Sequence, residues 1–353
     1  MTKIDIISGF LGAGKTTLIK KLLGDALKGQ KVVLIENEFG EIGIDGGFLK
    51  DAGIDIREMN SGCICCSLVG DFGTALKEVV AQYQPDRIII EPSGVGKLTD
   101  VVAAVEKVSE EAGLVVNSAT TVVDVTKCKM YLRNFGEFFE NQVQAAGTII
   151  LSRMDTDKAT QKKVDEAIGL LRGVNADATI ITTPVEKLSG QKVLETMEGV
   201  KLDLTKAAHD HDHEHEHHHH HDHDGECGCG HDHEHEHEHE HHHHHDHDGE
   251  CSCGCGHHHA DEVFTSWGKE TYRKYTKEEM EEILQELSDE DTLMGIVLRA
   301  KGMVEGTDGQ WMYFDLVPGE YEIRIGQPEY TGRLCVIGAQ LREDKLEKLF
   351  HLV

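Results

Sequence analysis

Seven short runs rich in Val, Ile, Leu and Thr mark the first part of the chain, at residues 4–8, 31–36, 54–59, 87–91, 120–125, 148–152 and 179–183. Most are close to continuously apolar instead of alternating, the pattern of strands buried on both faces of a parallel sheet. Between them, residues 16–27, 69–82, 98–111 and 158–172 carry apolar side chains at helical spacing and supply the crossover helices such a sheet requires. The pattern predicts an α/β fold with a doubly wound, mostly parallel sheet. After Lys206 the patterning stops: the chain turns to His, Asp, Glu, Gly and Cys, with no apolar run to offset the entropy of ordering, which predicts a disordered linker. Order returns near Asp261. A charged amphipathic helix at 276–287, strands at 295–300, 310–315, 320–325 and 333–338, and a last helix at 342–349 predict a small α+β domain. The expected division is 1–205, 206–260 and 261–353.

Composition narrows the function. The chain has 353 residues, and no run approaches the roughly 18 apolar residues of a membrane span. Residues 1–10 lack the features of a secretory signal, so the expectation is a soluble, cytoplasmic protein with no membrane partner. A formal net charge of -29 argues against nucleic acid as a partner, because phosphate binding needs concentrated Lys and Arg. About half of that excess comes from residues 209–259, which hold fifteen acidic residues and no Lys or Arg. The 10 cysteines cluster, leaving only Cys128 and Cys335 alone, and clusters in a chain without a signal sequence point to metal ligation more than to disulfides.

Residues 9–16, Gly-Phe-Leu-Gly-Ala-Gly-Lys-Thr, match G-x-x-x-x-G-K-[ST] between the first strand and the first helix, where a P-loop belongs. Gly9, Gly12, Ala13 and Gly14 let backbone N–H groups wrap phosphates at a helix N-terminus, and Thr17 continues that turn. Lys15 neutralises β/γ oxygens and the Thr16 hydroxyl can bind Mg²⁺. The strand at 87–91 ends in Glu91-Pro-Ser-Gly94, where such enzymes carry an acid near the metal and a glycine that senses the γ-phosphate. Lys15, Thr16 and Glu91 are thus the candidate catalytic residues. For Glu91 alone, a solvated carboxylate is the plainer alternative.

Together, GFLGAGKTT at 9–17, ENEFGEIGID at 36–45, GCICC at 62–66 and EPSG at 91–94 resemble the CobW-type metal-chaperone GTPases. These belong to a wider group of P-loop GTPases that includes the urease and hydrogenase maturation GTPases. Residues 297–302, followed by Trp311, resemble the C-terminal domain of the same family, so the likeness covers nearly all of the chain outside the linker. One departure stands out. Guanine is usually read by Asn-Lys-x-Asp, whereas this chain has Ser152-Arg153-Met154-Asp155. Asp155 can still accept from the guanine N1 and N2 hydrogens, and the Arg153 guanidinium can stack on the base. GTP is the expected nucleotide, with weaker discrimination against ATP.

Cys63, Cys65 and Cys66 form a C-x-C-C motif after the third strand, and thiolates suit Zn²⁺ or Cu(I). The resemblance implies that this is the internal metal site, with Glu36 and Glu41 available to complete the shell; three small buried residues are the plainer alternative. If the segment around them moves with the γ-phosphate, GTP binding and metal affinity become reciprocally linked, and deprotonation of the thiols makes affinity fall with pH. The linker holds 24 of the 25 histidines and repeats a pattern at an offset of 24 residues, HHHHHDHDGECGCG at 217–230 and HHHHHDHDGECSCG at 241–254. Its candidate ligands include His217, His219, Cys227, Cys229, His241, His243, Cys251, Cys253 and Cys255. Imidazole accepts Zn, Ni, Cu and Co alike, so the linker does not choose its metal. An acidic tether and an expression tag are the plainer alternatives for it.

The expectation is a GTP-hydrolysing metallochaperone that uses Mg²⁺ and passes a transition metal, Zn²⁺ first, to a client apo-metalloprotein. A nickel or cobalt insertion GTPase for a metalloenzyme or cofactor, and a His-rich storage protein with little GTPase coupling, stay open as alternatives, as does an oligomer.

Overall fold

The computed structural model describes residues 1–37, 55–59, 69–200, 260–289 and 292–353. Strands β1 (Thr2–Gly9), β2 (Val32–Asn37), β3 (Asp55–Met59), β4 (Arg87–Glu91), β5 (Leu114–Asp124), β6 (Thr148–Ser152) and β7 (Thr179–Ile181) form one sheet. Their order is β3-β2-β4-β1-β5-β6-β7, and every neighbouring pair is parallel. These are the seven runs read from the sequence, although β5 begins at Leu114 instead of 120.

The unbroken apolar runs have the expected cause. Successive side chains leave opposite faces of the sheet, and both faces are covered. Ile7, Leu34, Ile89, Val122 and Ile150 meet α1 (Lys15–Gly24) and α6 (Gly190–Glu198) through Leu18, Leu22, Val193 and Met197. Ile6, Ile35, Ile90, Ile149 and Leu151 face the opposite layer of α2 (Val69–Tyr83), α3 (Leu98–Ala112), α4 (Cys128–Gln144) and α5 (Gln161–Val174).

A second, antiparallel sheet has the order β11-β10-β9-β12-β8, from β8 (Thr265–Thr271), β9 (Ile296–Glu305), β10 (Trp311–Val317), β11 (Glu320–Gly326) and β12 (Gly332–Ala339). Alternation along β12 divides its side chains between two cores. Leu334 and Val336 join α8 (Lys277–Ser288) and α9 (Glu343–Leu349) in the core of this half. Cys335, Ile337 and Ala339 belong to the cluster that also holds Tyr131, Phe135 and Phe138 of α4. The short helix α7 (Ala260–Val263) leads to Phe264, whose ring lies 5.0 Å from Phe138 and 5.3 Å from Phe135. The described residues of the two halves accordingly form one compact unit.

Four of the elements named above are absent from the sequence reading: α4, α6, the short helix α7 and β8. In α4 the aromatic residues at 131, 135, 138 and 139 have helical spacing, but Asn134 and Gly136 interrupt the propensity and the backbone departs from helix at Phe135 (φ -138°, ψ 35°). Among the described residues, strand β8 pairs only with β12, and it is polar along much of its length, with Gly268 inside it, so no alternation announces it.

At the amino ends of the central strands, buried Asp5 and Arg87 pair across β1 and β4. Asp5 also accepts from Ser118 at 2.6 Å and from Asn117 at 2.8 Å. Arg87 reaches Glu198 at the end of α6 at 2.7 Å, and Lys3 reaches the same carboxylate at 3.1 Å. Burial pushes the Glu198 carboxyl up, but bonds from Arg87 and Lys3 outweigh it and hold it below its ordinary 4.5. A depressed folded value means that this contribution to stability is complete above the unfolded pKa and is lost as pH falls through the folded value. Unfolding midpoints in urea should therefore drop as pH falls below about 4.5, and Glu198→Gln should flatten that dependence. Arg87→Met, which strands the buried Asp5 carboxylate, should cost about 3–5 kcal/mol in the same assay with no change in m-value.

Candidate nucleotide site

Strand β1 ends at Gly9, and the chain returns into α1 through a loop that only glycine geometry permits. Gly9 has φ 143° and lies so close to β5 that a Cβ there would be 2.4 Å from the Val122 carbonyl oxygen. Gly12 and Gly14 have φ 70° and 99°. Gly14 is the N-cap of α1 and gives no side-chain cap, whereas α5, α6 and α8 are closed by the hydroxyls of Thr160, Ser189 and Thr276. The first N–H groups of α1 are left for a ligand, and the helix dipole favours an anion there. The loop is also anchored from below: the Phe10 ring lies 4.4 Å from Tyr131 and 5.6 Å from Phe135.

Buried Lys15 turns its ammonium back over this loop, donating to the carbonyl oxygens of Gly9 at 2.9 Å and Phe10 at 3.4 Å. Its Nζ is 4.0 Å from Glu91 Oε1 at the end of β4. The Thr16 hydroxyl lies 3.3 and 3.4 Å from the two Glu91 oxygens. Lys15 and Thr16 of α1 thus converge with Glu91 of β4. The cradle of backbone N–H groups, a lysine and a hydroxyl beside a carboxylate fit a nucleoside triphosphate with a divalent cation.

Glu36 of β2 is in register with Glu91 of β4, and strand alternation puts it on the α1 side of the sheet as well. Gly94 packs under the P-loop, where a Cβ would be 2.9 Å from the backbone nitrogen of Leu11. Its carbonyl accepts from buried Gln142 of α4 at 3.2 Å, and the same amide nitrogen donates to Gly96 at 2.8 Å. Gln142 is absent from the sequence reading. A lone Gln inside a helix gives no local signal, and its meaning comes only from how α4 crosses the β4–α3 loop.

A cavity of about 320 Å³ continues from Ala13, Gly14 and Thr17 to Ser152, Arg153 and Asp155 after β6. Pro184, Val185 and Glu186 close its far side, a wall the sequence reading does not include. Arg153 has φ 59°, and its carbonyl accepts from the Thr156 hydroxyl at 2.9 Å, which holds this turn. Ala13, Gly14 and Thr17 of the P-loop side therefore line one continuous pocket with the base candidates Arg153 and Asp155 at the carboxyl ends of the strands.

Cys63, Cys65, Cys66 and Glu41 lie outside the described residues, as do the linker candidates His217, His219, Cys227, Cys229, His241, His243, Cys251, Cys253 and Cys255. Among the described residues, no group of three or more His, Cys, Asp or Glu gathers at one point, and no helix is long and apolar enough to cross a membrane.

Two family models match the chain: the CobW/HypB/UreG nucleotide-binding domain over residues 3–182 and the cobalamin synthesis protein CobW C-terminal domain over 264–352. The chain belongs to the CobW/HypB/UreG family. A zinc chaperone CobW from Sinorhizobium sp is 36% identical over 186 residues, covering 45% of this chain and 52% of that protein. The zinc chaperone YeiR of Escherichia coli is 33% identical over 155 residues, covering 44% and 47%. The chain thus spans about half the length of these curated relatives. The crystal structure of Zn(II)-bound YjiA GTPase from Escherichia coli aligns over 99% of this chain and 98% of that one, with 19% identity and a TM-score of 0.39.

Within the CobW/HypB/UreG match fall the P-loop, Glu36, Glu91, Gly94, Gln142 and the 152–155 turn. The lone cysteines of the chain are of a different kind from the clustered ones. Cys128 and Cys335 are buried and take part in no disulfide, and burial, reinforced by the charges of Asp124 and Glu166, pushes the Cys128 thiol up to about 12. Because the thiolate is the reactive form, Cys128 should stay unmodified by iodoacetamide in the folded protein between pH 7 and 9. Peptide mass spectrometry checks this, with labelling appearing only after denaturation.

Proposed function

We propose that this chain is a GTPase whose nucleotide cycle governs the uptake and release of a transition-metal ion, zinc first, for delivery to a client apo-metalloprotein. The observation that carries the nucleotide half is the convergence of Lys15, Thr16 and Glu91 below an uncapped helix end. Triphosphate oxygens would take the backbone N–H groups of residues 12–16, and Lys15 would exchange its carbonyl partners for them. Thr16 and Glu91 are the residues that would hold Mg²⁺, which supplies charge neutralisation on the β/γ oxygens when bound. Gly94, held through its carbonyl by Gln142, would sense the γ-phosphate through its own N–H. Asp155 would accept from guanine, and the face of the Arg153 guanidinium would cover the base.

The metal is cargo. Cys63, Cys65 and Cys66, with Glu36 and Glu41, would form its internal site, and the His-rich linker would collect ions at high local concentration. Thiolate chemistry and the zinc-chaperone names of the relatives support zinc. Glu36 would serve as the link between cargo and nucleotide, since it sits in register beside Glu91. A ligand set that changes with the γ-phosphate binds metal differently in the two nucleotide states, and metal then shifts GTP affinity by the same factor.

The 24 linker histidines accept nickel and cobalt as readily, and this keeps an insertion GTPase for either metal as the second reading. GTP affinity measured at buffered free Zn²⁺, Ni²⁺ and Co²⁺ separates the two. For the leading reading, Lys15→Ala should lower kcat about 10²-fold or more. Cys65→Ala should retain the metal-free rate and lose its response to zinc. Steady-state GTPase assays in metal buffers, on the intact chain and on a linker deletion, provide the check. A rate indifferent to every metal and to Cys65 would sink the chaperone reading.

A further inference from the structure

The turn between β10 and β11 touches the P-loop and the segment that follows β6. Pro318 and Gly319 (φ 78°) occupy the two central positions, the signature of a type II turn. Three contacts hold this turn there. Buried Val317 packs on the P-loop: a Cβ at Gly12 would come within 2.3 Å of its Cγ1. Lys158 donates to the Gly319 carbonyl at 2.8 Å. Arg153 Nη1 donates to Glu320 Oε2 at 2.7 Å. From the other side, the Gly319 N–H donates to the Ser288 carbonyl at 2.9 Å, at the end of α8, so the turn is held by its own half too.

We infer that this turn completes the nucleotide site, with Glu320 as the positioning residue that holds Arg153 over the base pocket. The inference rests on the reading of Arg153 and Asp155 as the base-binding pair. Its physical basis is the geometry of the guanidinium, which presents donors at its edge and an apolar, stackable face. Glu320 takes the edge and leaves the face. Arginine loses rotamer freedom when it orders over a ligand, and a carboxylate that restrains it beforehand removes part of that cost. Because the partner Glu320 holds is Arg153, its effect should fall on the base and not on the triphosphate.

The test measures GTP, ATP and inorganic tripolyphosphate binding by competition against a fluorescent GTP analogue, in the full chain and four variants. Glu320→Ala should weaken GTP about three- to five-fold, the size of an exposed ion pair, and leave tripolyphosphate unchanged. Glu320→Ala in an Arg153→Ala background should add nothing further. An unchanged GTP affinity, an equal loss for tripolyphosphate, additive losses in the double variant, or a gain in GTP affinity would each overturn the inference. Asp155→Asn tests the underlying reading separately through the ratio of GTP to ATP affinity. If that ratio stays constant, the base-binding assignment fails and the inference falls with it. A shifted ratio together with an inert Glu320→Ala removes the inference alone.

Discussion

The molecule is organised around a row of aromatic rings that begins inside the phosphate loop. Phe10 leaves the P-loop backbone and packs against Tyr131, Phe135 and Phe139 of α4, at centroid separations of 4.4, 5.6 and 6.1 Å. Phe264, which precedes β8, closes the same cluster 6.2 Å from Phe10. Aromatic pairs at these distances contribute about 0.5–1.5 kcal/mol each beyond burial, but the positional effect is larger than the energy. One loop, one helix and the entry to the second sheet are set by a single packing arrangement.

The chemistry of the pocket depends on that arrangement because it uses backbone more than side chains. Gly9 can touch the Val122 carbonyl only if β1 and β5 keep their spacing, and Gly94 can lie under Leu11 only if the β4–α3 loop is held. Gln142 supplies the second restraint from the far end of the helix that carries Tyr131 and Phe135. At the opposite ends of the strands, Asp5 and Arg87 tie β1 to β4, and a shift of one residue there would carry Glu91 away from Thr16. Functional geometry at the carboxyl ends is thus conditioned by a buried charge pair at the amino ends.

Much of this was legible before the fold was known, for a specific reason. Parallel strands buried on both sides write themselves as apolar runs, and a P-loop must place Gly, Lys and Thr at fixed offsets, so both leave local signatures. The Ser152–Asp155 segment was readable as an altered base-binding motif by its place after a strand. What stayed hidden depends on contacts distant in sequence. Gln142 clamps a loop 46 and 48 positions away, and Glu320 meets Arg153 across 167 positions. Helix α4 was missed although its aromatic spacing is helical, because Asn134 and Gly136 lower its propensity while tertiary packing overrides them. Strand β8 was missed because an edge strand with a polar face and a central glycine carries little periodic signal.

The double-sided use of β12 bears on how such a chain can be assembled or rearranged. Leu334 and Val336 serve one core while Cys335 and Ile337 serve another that belongs mainly to the nucleotide-binding half. The two halves are separable as stretches of sequence, with a long segment of different composition between them, yet neither has a finished surface of its own. Exchange of the C-terminal half between relatives would have to bring a matching outer face of α4 with it. Modularity in this architecture therefore ends at the linker sequence: separating the two halves would expose an apolar face on each side.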